Sequence, residues 1–544
     1  MNSEGVWGAL VRHFFDRFFD KESLSPQGDP EANIVQTLGF LAAPGAFVCI
    51  LFQLLTFQGW DLVSVRCFFI SLSMIVMSFI VVFEWDALFP DRRDYQVLTP
   101  LPLRLSTLFL AKTVAIGIFL GIFLLDVNFF SILLWGGIEG HGSLLGIVGA
   151  HVVTVVLSGL FAALAMAAVQ GVLITILPAE AFRRVSVCIQ TLLMAALVML
   201  IFLSPMIANQ LRDLLRQHSP LVYCWPPYWF AGFYEGLRPA VKNPGLLALG
   251  PLSVRALAAA AALFLLTYLP GYRSHARKML EAPQPSPAGP GRISRAISGL
   301  IDRHILRHPV QQAVFHFINQ TITRSMKHRL FLAAYAGVGG AFAVFTFGTD
   351  HSGSLKLPLT LSFILVSAMR AAFNFPSELR GNWAFQLSET NNTGECLAAM
   401  RKWIVMCAIL PLFAVLAPVE FLCFPWTAAL FHLAFGITLS VLLMELMFFD
   451  FRKVPFTCSY LPGKINLVGL VVIYCFGFTF YSGTMASLEE WLAVTPIAAA
   501  AFFAAAAIAY VLLDRWRERL LGGEPVLDFE DPGDPEVRTL ELHA

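Results

Sequence analysis

Twelve apolar runs, each long enough to cross a bilayer, decide what this chain can become. A hydrocarbon core of ~30 Å needs about 20 helical residues. On that ruler the runs fall at 37–57, 64–85, 107–135, 145–177, 186–206 and 252–270, then at 329–347, 357–375, 398–422, 426–448, 465–485 and 494–513. Lipid offers no water to the backbone, so such runs must be helices. The expected fold is an all-α polytopic membrane protein with about 12 transmembrane helices. Composition points the same way: 13% of residues are charged, where a soluble domain carries roughly 25%, and mean hydropathy is +0.70. A formal net charge of +1 with segregated signs gives no basis for nucleic-acid binding.

The runs repeat. Phe83 to Ala115 reads FEWDALFPDRRDYQVLTPLPLRLSTLFLAKTVA, and Phe373 to Val405 returns the same hydropathy 290 positions later. Phe83 then meets Phe373, Tyr95 meets Phe385, Gln96 meets Gln386, Val97 meets Leu387 and Lys112 meets Lys402. The fourth and tenth runs align at an offset of 281, matching His151 to His432, and the shorter offset reflects the loop at 136–144. Two six-helix halves of parallel orientation are therefore expected.

Of 37 Lys and Arg, only Arg66, Arg212, Arg216, Arg238, Lys242, Arg255 and Lys356 fall outside when the chain starts inside and alternates. The positive-inside rule then places both termini in the cytoplasm, in a plasma membrane of bacterial inner-membrane type. No continuous apolar segment precedes a cleavage site in the first 35 residues, so the first span is expected to act as its own signal.

The expected organisation has five parts. Residues 1–36 form a cytoplasmic segment with an amphipathic interfacial helix at 6–20, and 37–270 the first half. Residues 271–328 form a basic Pro/Gly/Ser linker with a second interfacial helix at 308–328. Residues 329–513 form the second half and 514–544 an acidic disordered tail. Cys49, Cys67, Cys188, Cys407, Cys423 and Cys475 lie in or beside apolar runs and no CxxC pair occurs, which suggests small packing residues rather than disulfides or metal ligands.

No Walker A sequence, HExxH or GxSxG occurs, and no His/Cys set has zinc spacing, so neither a nucleotide site, a metal site nor a catalytic group is expected in this chain. The first charged turn instead gathers Glu84, Asp86, Asp91, Arg92, Arg93, Asp94 and Arg104 among Pro90, Pro100 and Pro102, with Trp85 and Tyr95. Both signs of charge on a proline-restricted backbone suit docking to a soluble partner, although the acids could instead pair with the turn's own arginines. A helix ending in acidic and aromatic residues, then PDRRDYQVLTPLPLR, then LFLAK, resembles the cytoplasmic turn between spans two and three of ABC-2-type (type V) exporter permeases.

That resemblance implies six spans per half, an amphipathic helix before the first span, and a coupling turn docked on a P-loop ATPase. The partner ATPase would bind ATP and magnesium, and this chain no cofactor. The coupling role carries onto Glu84, Asp86, Asp91, Arg92, Arg93, Asp94, Tyr95, Pro100 and Pro102, and onto Trp383, Phe385 and Gln386 in the second turn. The second turn reads ETNNTGE at 389–395 and lacks PLPLR, which sets it apart from the family's pattern.

Ionisable residues in apolar helices mark candidate pathways: Asp126, Glu420, His151, His432 and Glu445. Arg370 and Gln170 are expected to be structural. Trp225, Tyr228, Trp229 and Phe230, in a long aromatic outer segment, form either a lid or an ordinary aromatic belt. The expected function is the membrane permease of an exporter for a hydrophobic or amphipathic cargo, in contact with membrane lipids. An ion-coupled secondary transporter and a membrane-embedded lipid-modifying enzyme are the alternatives.

Overall fold

The computed structural model describes residues 3–19, 60–88, 105–139, 143–238, 243–281, 292–349, 353–377, 379–387, 393–458, 467–521, 527 and 529. The described residues contain no β-strand, and nine of their helices are long and apolar enough to cross a membrane. The chain is an all-α membrane protein. It divides into two compact units, one running to Pro285 and one from Ser286 to Pro532. Their boundary falls inside the expected linker.

In the first unit, α1 (Ser3–Phe19) precedes α2 (Leu62–Phe83), α3 (Leu105–Glu139), α4 (Leu144–Ile176), α5 (Ala179–Arg216), α6 (Pro226–Leu237) and α7 (Gly250–Glu281). The first expected span, 37–57, lies outside the described residues. Helix α2 is the hub, packed against α3, α4, α5 and α6. Its sequence explains this: Ser64, Ser71, Ser73 and Ser78 are all buried, and small residues let helices approach where lipid gives no hydrophobic drive between them. Ser73 Oγ donates to the Val155 carbonyl at 3.0 Å and accepts from Asn128 Nδ2 at 3.0 Å, tying α2 to α4 and α3. A Cβ at Gly159 of α4 would stand 3.0 Å from Ser73 Oγ and 3.1 Å from Met77 Cγ.

Helix α1 lays Leu10 and Phe14 against α3, with Lys112 Nζ 5.8 Å from the centre of the Phe14 ring. Helix α3 continues to Glu139, through Gly136–Gly137, and α5 to Arg216, beyond the apolar runs. Likewise α7 runs through YRSHARKMLE to Glu281. It does so across Pro270–Gly271, so the first part of the expected linker is helix despite a local breaker.

The second unit begins with α8 (Arg292–His304) and α9 (Pro309–Arg324), followed by α10 (Met326–Thr349) and α11 (Gly353–Ala372). Then α12 (Thr393–Ile404) passes through a π turn, Val405–Ile409, into α13 (Leu410–Cys423), and α14 (Trp426–Met447) follows. Helix α15 (Leu467–Thr479) passes through a second π turn, Phe480–Thr484, into α16 (Met485–Val494), and α17 (Pro496–Leu521) closes the unit.

Helix α9 buries Val314, Phe315 and Ile318 against α12, as α1 does on α3 in the first unit. Residues 514–521, expected to open the tail, extend α17 instead. The eight described cysteines are free; Cys67 and Cys458 are buried, whereas Cys188, Cys407, Cys423 and Cys475 are exposed. Those four expected packing residues lie on outward faces.

Helix α6 is pressed so closely on the entry to α7 that a Cβ on Gly232 would meet the Leu246 carbonyl oxygen and stand 2.8 Å from the Gly250 nitrogen. Both are backbone atoms and cannot rotate away. Gly232→Ala is expected to cost ~1–3 kcal/mol, read as a lower unfolding midpoint in detergent, whereas Gly121→Ala, with nothing within 4 Å, is expected to leave it unchanged.

Candidate functional site

Functional candidates gather at the two ends of each unit. At the turn end of the first unit, α2 leads into a single 3-10 turn, Trp85–Leu88. Trp85 is fully buried and its Nε1 donates to Ser186 Oγ at 2.8 Å. Gln170 donates to the Trp85 carbonyl at 2.6 Å, Gln190 to Val82 O at 2.8 Å and the Tyr268 hydroxyl to Leu88 O at 2.6 Å. Helices α4, α5 and α7 thus clamp the entry to the turn through its backbone, and Gln170 has a structural task.

Glu84 is buried beside this clamp, its backbone NH bonded to Ile80 O at 2.9 Å. Asp86 lies within the 3-10 turn, and its side chain is outside the described residues, as are Asp91, Arg92, Arg93, Asp94, Tyr95, Pro100 and Pro102.

In the second unit, Trp383, Phe385 and Gln386 share a short helix, Trp383–Leu387. Trp383 is 62% exposed, Phe385 packs edge-on against Phe317 of α9 at 4.9 Å, and Gln386 is exposed. The segment after α14 braces this turn: Phe456 NH bonds Phe373 O at 3.1 Å and Ser377 NH bonds Phe456 O at 3.0 Å. Asn382 Nδ2 reaches the Thr457 carbonyl at 2.8 Å. Arg370 pairs with Asp450 at 2.8 Å and stacks its guanidinium on Phe448 and Phe451, a structural role.

The opposite end of the first unit holds four charges that the apolar runs concealed. Arg66 of α2 pairs with Glu139 of α3 at 2.7 Å and with Glu235 of α6 at 3.2 Å. Arg238 pairs with Glu139 at 2.9 Å. The Tyr234 hydroxyl donates to Glu139, accepts from Trp135 Nε1 at 3.1 Å and lies in the ring under Arg66. Burial, together with the bond to the Glu139 carboxylate, pushes the Tyr234 hydroxyl up to about 12, so it stays a donor. Two arginines meet two carboxylates, a balanced set whose pairing offsets the cost of taking charge out of water.

The expected pathway residues separate. His151 stacks on Trp135, ring centroids 4.0 Å apart, with Nε2 3.2 Å from Ser131 Oγ, and pairs with no carboxylate among the described residues. Asp126 is half-buried on α3, and its Oδ2 has no hydrogen-bond partner among the described residues.

Glu445 is bound by Arg517 of α17 and by Arg401 of α12 at 3.3 Å, while Arg401 also holds Asp514 at 2.8 Å. That balanced cluster fastens three helices, and it explains why α17 continues past Tyr510. Glu420 and His432, by contrast, do come together: His432 Nε2 lies 3.6 Å from Glu420 Oε2, and His432 Nδ1 bonds Glu489 of α16.

The aromatic segment is part of the unit's interior. Tyr228 and Phe230 are each 1% exposed; the Tyr228 hydroxyl donates to Ile207 O at 2.7 Å, and Phe230 packs on Phe161 at 5.6 Å. Burial raises the Tyr228 hydroxyl above its ordinary range. Trp225 and Trp229 are half-buried at the rim, and Trp229 Nε1 donates to Tyr223 O at 3.2 Å.

Sequence reasoning missed Arg66, Glu139, Glu235, Arg238 and Glu489. The signal for Glu139 was present: applying the 281 offset to Glu420 lands on it. Arg66 and Arg238 were exceptions to the positive-inside bias, and a lone cation at the start of an apolar helix calls for a partner. Among the described residues no three His, Cys, Asp or Glu side chains are placed to hold a metal ion. Compared with protein-family models, curated proteins and solved structures, the chain gives no match.

Arg66→Leu removes one of the two guanidinium charges, leaving the carboxylates of Glu139 and Glu235 buried against the partly exposed Arg238 as the one cation of the set. Removing one partner of a buried ion pair costs ~3–5 kcal/mol, so a sharply lower unfolding midpoint or loss of folded protein is expected. Arg66→Lys, which keeps the charge but loses the two-sided fork, is expected to fall in between.

Proposed function

We propose that this chain is the membrane permease subunit of an ATP-driven exporter of the ABC-2 type, with two six-helix halves fused in one chain. The observation that carries this reading is the arrangement before the third span of each half. In the first unit an amphipathic helix, α1, packs on α3 with Lys112 over Phe14. In the second, α9 packs on α12, where the repeat-matched Lys402 donates to Gln311 Oε1 at 2.6 Å and to Ile305 O at 3.0 Å. An amphipathic helix braced against the helix that leaves a charged turn is what a docking handle needs, since force on the turn reaches a membrane helix without slack. The clamp on Trp85 and the brace at Phe456 support the same role.

On this reading both termini and both turns face the cytoplasm of a plasma membrane. Residues 84–104 and 383–386 dock P-loop ATPase subunits, which hold ATP and magnesium. The cargo is hydrophobic or amphipathic, in keeping with buried charges that are spent on one another.

A second reading, ion-coupled transport, is favoured by one observation: among the described residues no Lys or Arg pairs with Glu420, His432 or Glu489. Pull-down of the tagged chain from its native membrane separates the two. Co-purification of an ATPase is expected, and Arg92→Glu combined with Asp94→Arg is expected to lower the recovered ATPase about tenfold, the equivalent of ~1.4 kcal/mol of docking. Repeated recovery without any ATPase, with transport abolished by an uncoupler, would instead establish the second reading.

A further inference from the structure

Among the described residues three ionic clusters stand out, each with a buried carboxylate, and one is built differently from the others. Arg66 and Arg238 face Glu139 and Glu235, and Arg401 and Arg517 face Glu445 and Asp514. Each is two permanent cations against two carboxylates. The third, in the second unit, sets Glu420 and Glu489 against a single imidazole, His432. Its three residues are 3%, 1% and 3% exposed respectively. With neutral histidine the set would hold two uncompensated negative charges out of water, which a buried site does not sustain.

We propose that Glu420, His432 and Glu489 form a buried two-proton binding site. One proton makes His432 an imidazolium shared by the carboxylates, and the second, also drawn from solvent, sits on one of them. The occupied site is then neutral, as the arginine clusters are, but both of its positive charges can leave.

Geometry favours this over a closed structural pair. Glu420 Oε2, Glu489 Oε2 and His432 Nε2 are buried and have no hydrogen-bond partner among the described residues. The 3.6 Å gap between His432 and Glu420 exceeds hydrogen-bond reach. The imidazole thus stands between the two acids, Glu489 at Nδ1 and Glu420 beside Nε2, and each acid keeps an unused oxygen able to carry a proton. Phe424 covers the imidazole at 5.8 Å.

Of the charged groups on the packed elements, Glu490, beside Glu489 on α16, and Lys356, at the start of α11, are exposed. Arg370, Glu445, Asp514 and Arg517 lie toward the C-terminal ends of α11, α14 and α17, and Arg401 lies toward the end of α12 in the Glu445 cluster. Burial, foremost, and then Glu490 raise Glu489 above the ordinary carboxylate range, against the opposing pull of His432. The sign follows: a group held up in the folded state releases its proton on the alkaline side, so the occupied state loses stability as pH rises.

This inference does not rest on the exporter reading, since a proton site could gate or regulate either kind of transporter. Infrared spectroscopy of the full-length protein in lipid nanodiscs tests it. At neutral pH the wild type is expected to show the carbonyl stretch of a protonated carboxylic acid at this site, which bleaches as pH is raised. Glu420→Gln and Glu489→Gln should each abolish that band, because one carboxylate and one imidazolium are already balanced. Glu139→Gln should leave it intact.

His432→Gln gives an independent reading, because with no imidazolium both acids must be protonated and the band should be stronger than in wild type. A wild type without the band, or a band unchanged in both glutamine variants, would overturn the site. So would a weaker band in His432→Gln.

Discussion

An ionised side chain inside a bilayer must find its counter-charge within the protein, and this requirement shapes both units. Apolar packing cannot by itself say which helix sits beside which, because lipid tails are as apolar as leucine. Buried ions can. Arg66 fixes α2 to α3 and α6, and Glu445 fixes α14 to α12 and α17. Around these ties the serines of α2, the glycines at 159 and 232 and the edge-on aromatic cluster around Phe373 fill the remaining space. A continuous α2 with four buried serines is intelligible only as a helix surrounded by others.

The helices were largely legible in the sequence, because length and hydropathy are local properties. Runs such as 64–85 and 426–448 map onto α2 and α14 within a few residues. Their ends were less legible: α3, α5 and α7 run on past the edge of the apolar run, α3 through Gly136–Gly137 and α7 through Pro270–Gly271, which local composition does not predict.

The polar sites divided along the same line. Glu420 and His432 were conspicuous as charges in apolar sequence, and they meet. Glu139 was hidden in what reads as a loop, and Glu235 and Glu489 sit on short helices between spans. Their partners come from segments up to 169 residues away, a pairing no local pattern encodes. Asp126 and His151 looked equivalent to Glu420 and His432, yet His151 meets an indole and a hydroxyl.

The two units resemble each other most where an amphipathic helix meets the start of the third span, through Lys112 in one and Lys402 in the other. They differ most at the opposite ends. One carries fixed guanidinium charge, the other a histidine between acids. The first keeps its charge at any ordinary pH, whereas the charge of the second depends on protonation of His432.

If both halves enter the membrane in the same sense, both charged turns lie on its cytoplasmic face. Single cysteines at Thr99→Cys and Thr390→Cys, in a chain freed of its exposed native cysteines, read this directly with a membrane-impermeant maleimide. Neither position should react in intact cells, and both should react once the membrane is opened. Labelling of either position in intact cells would contradict the shared orientation and the docking role built on it.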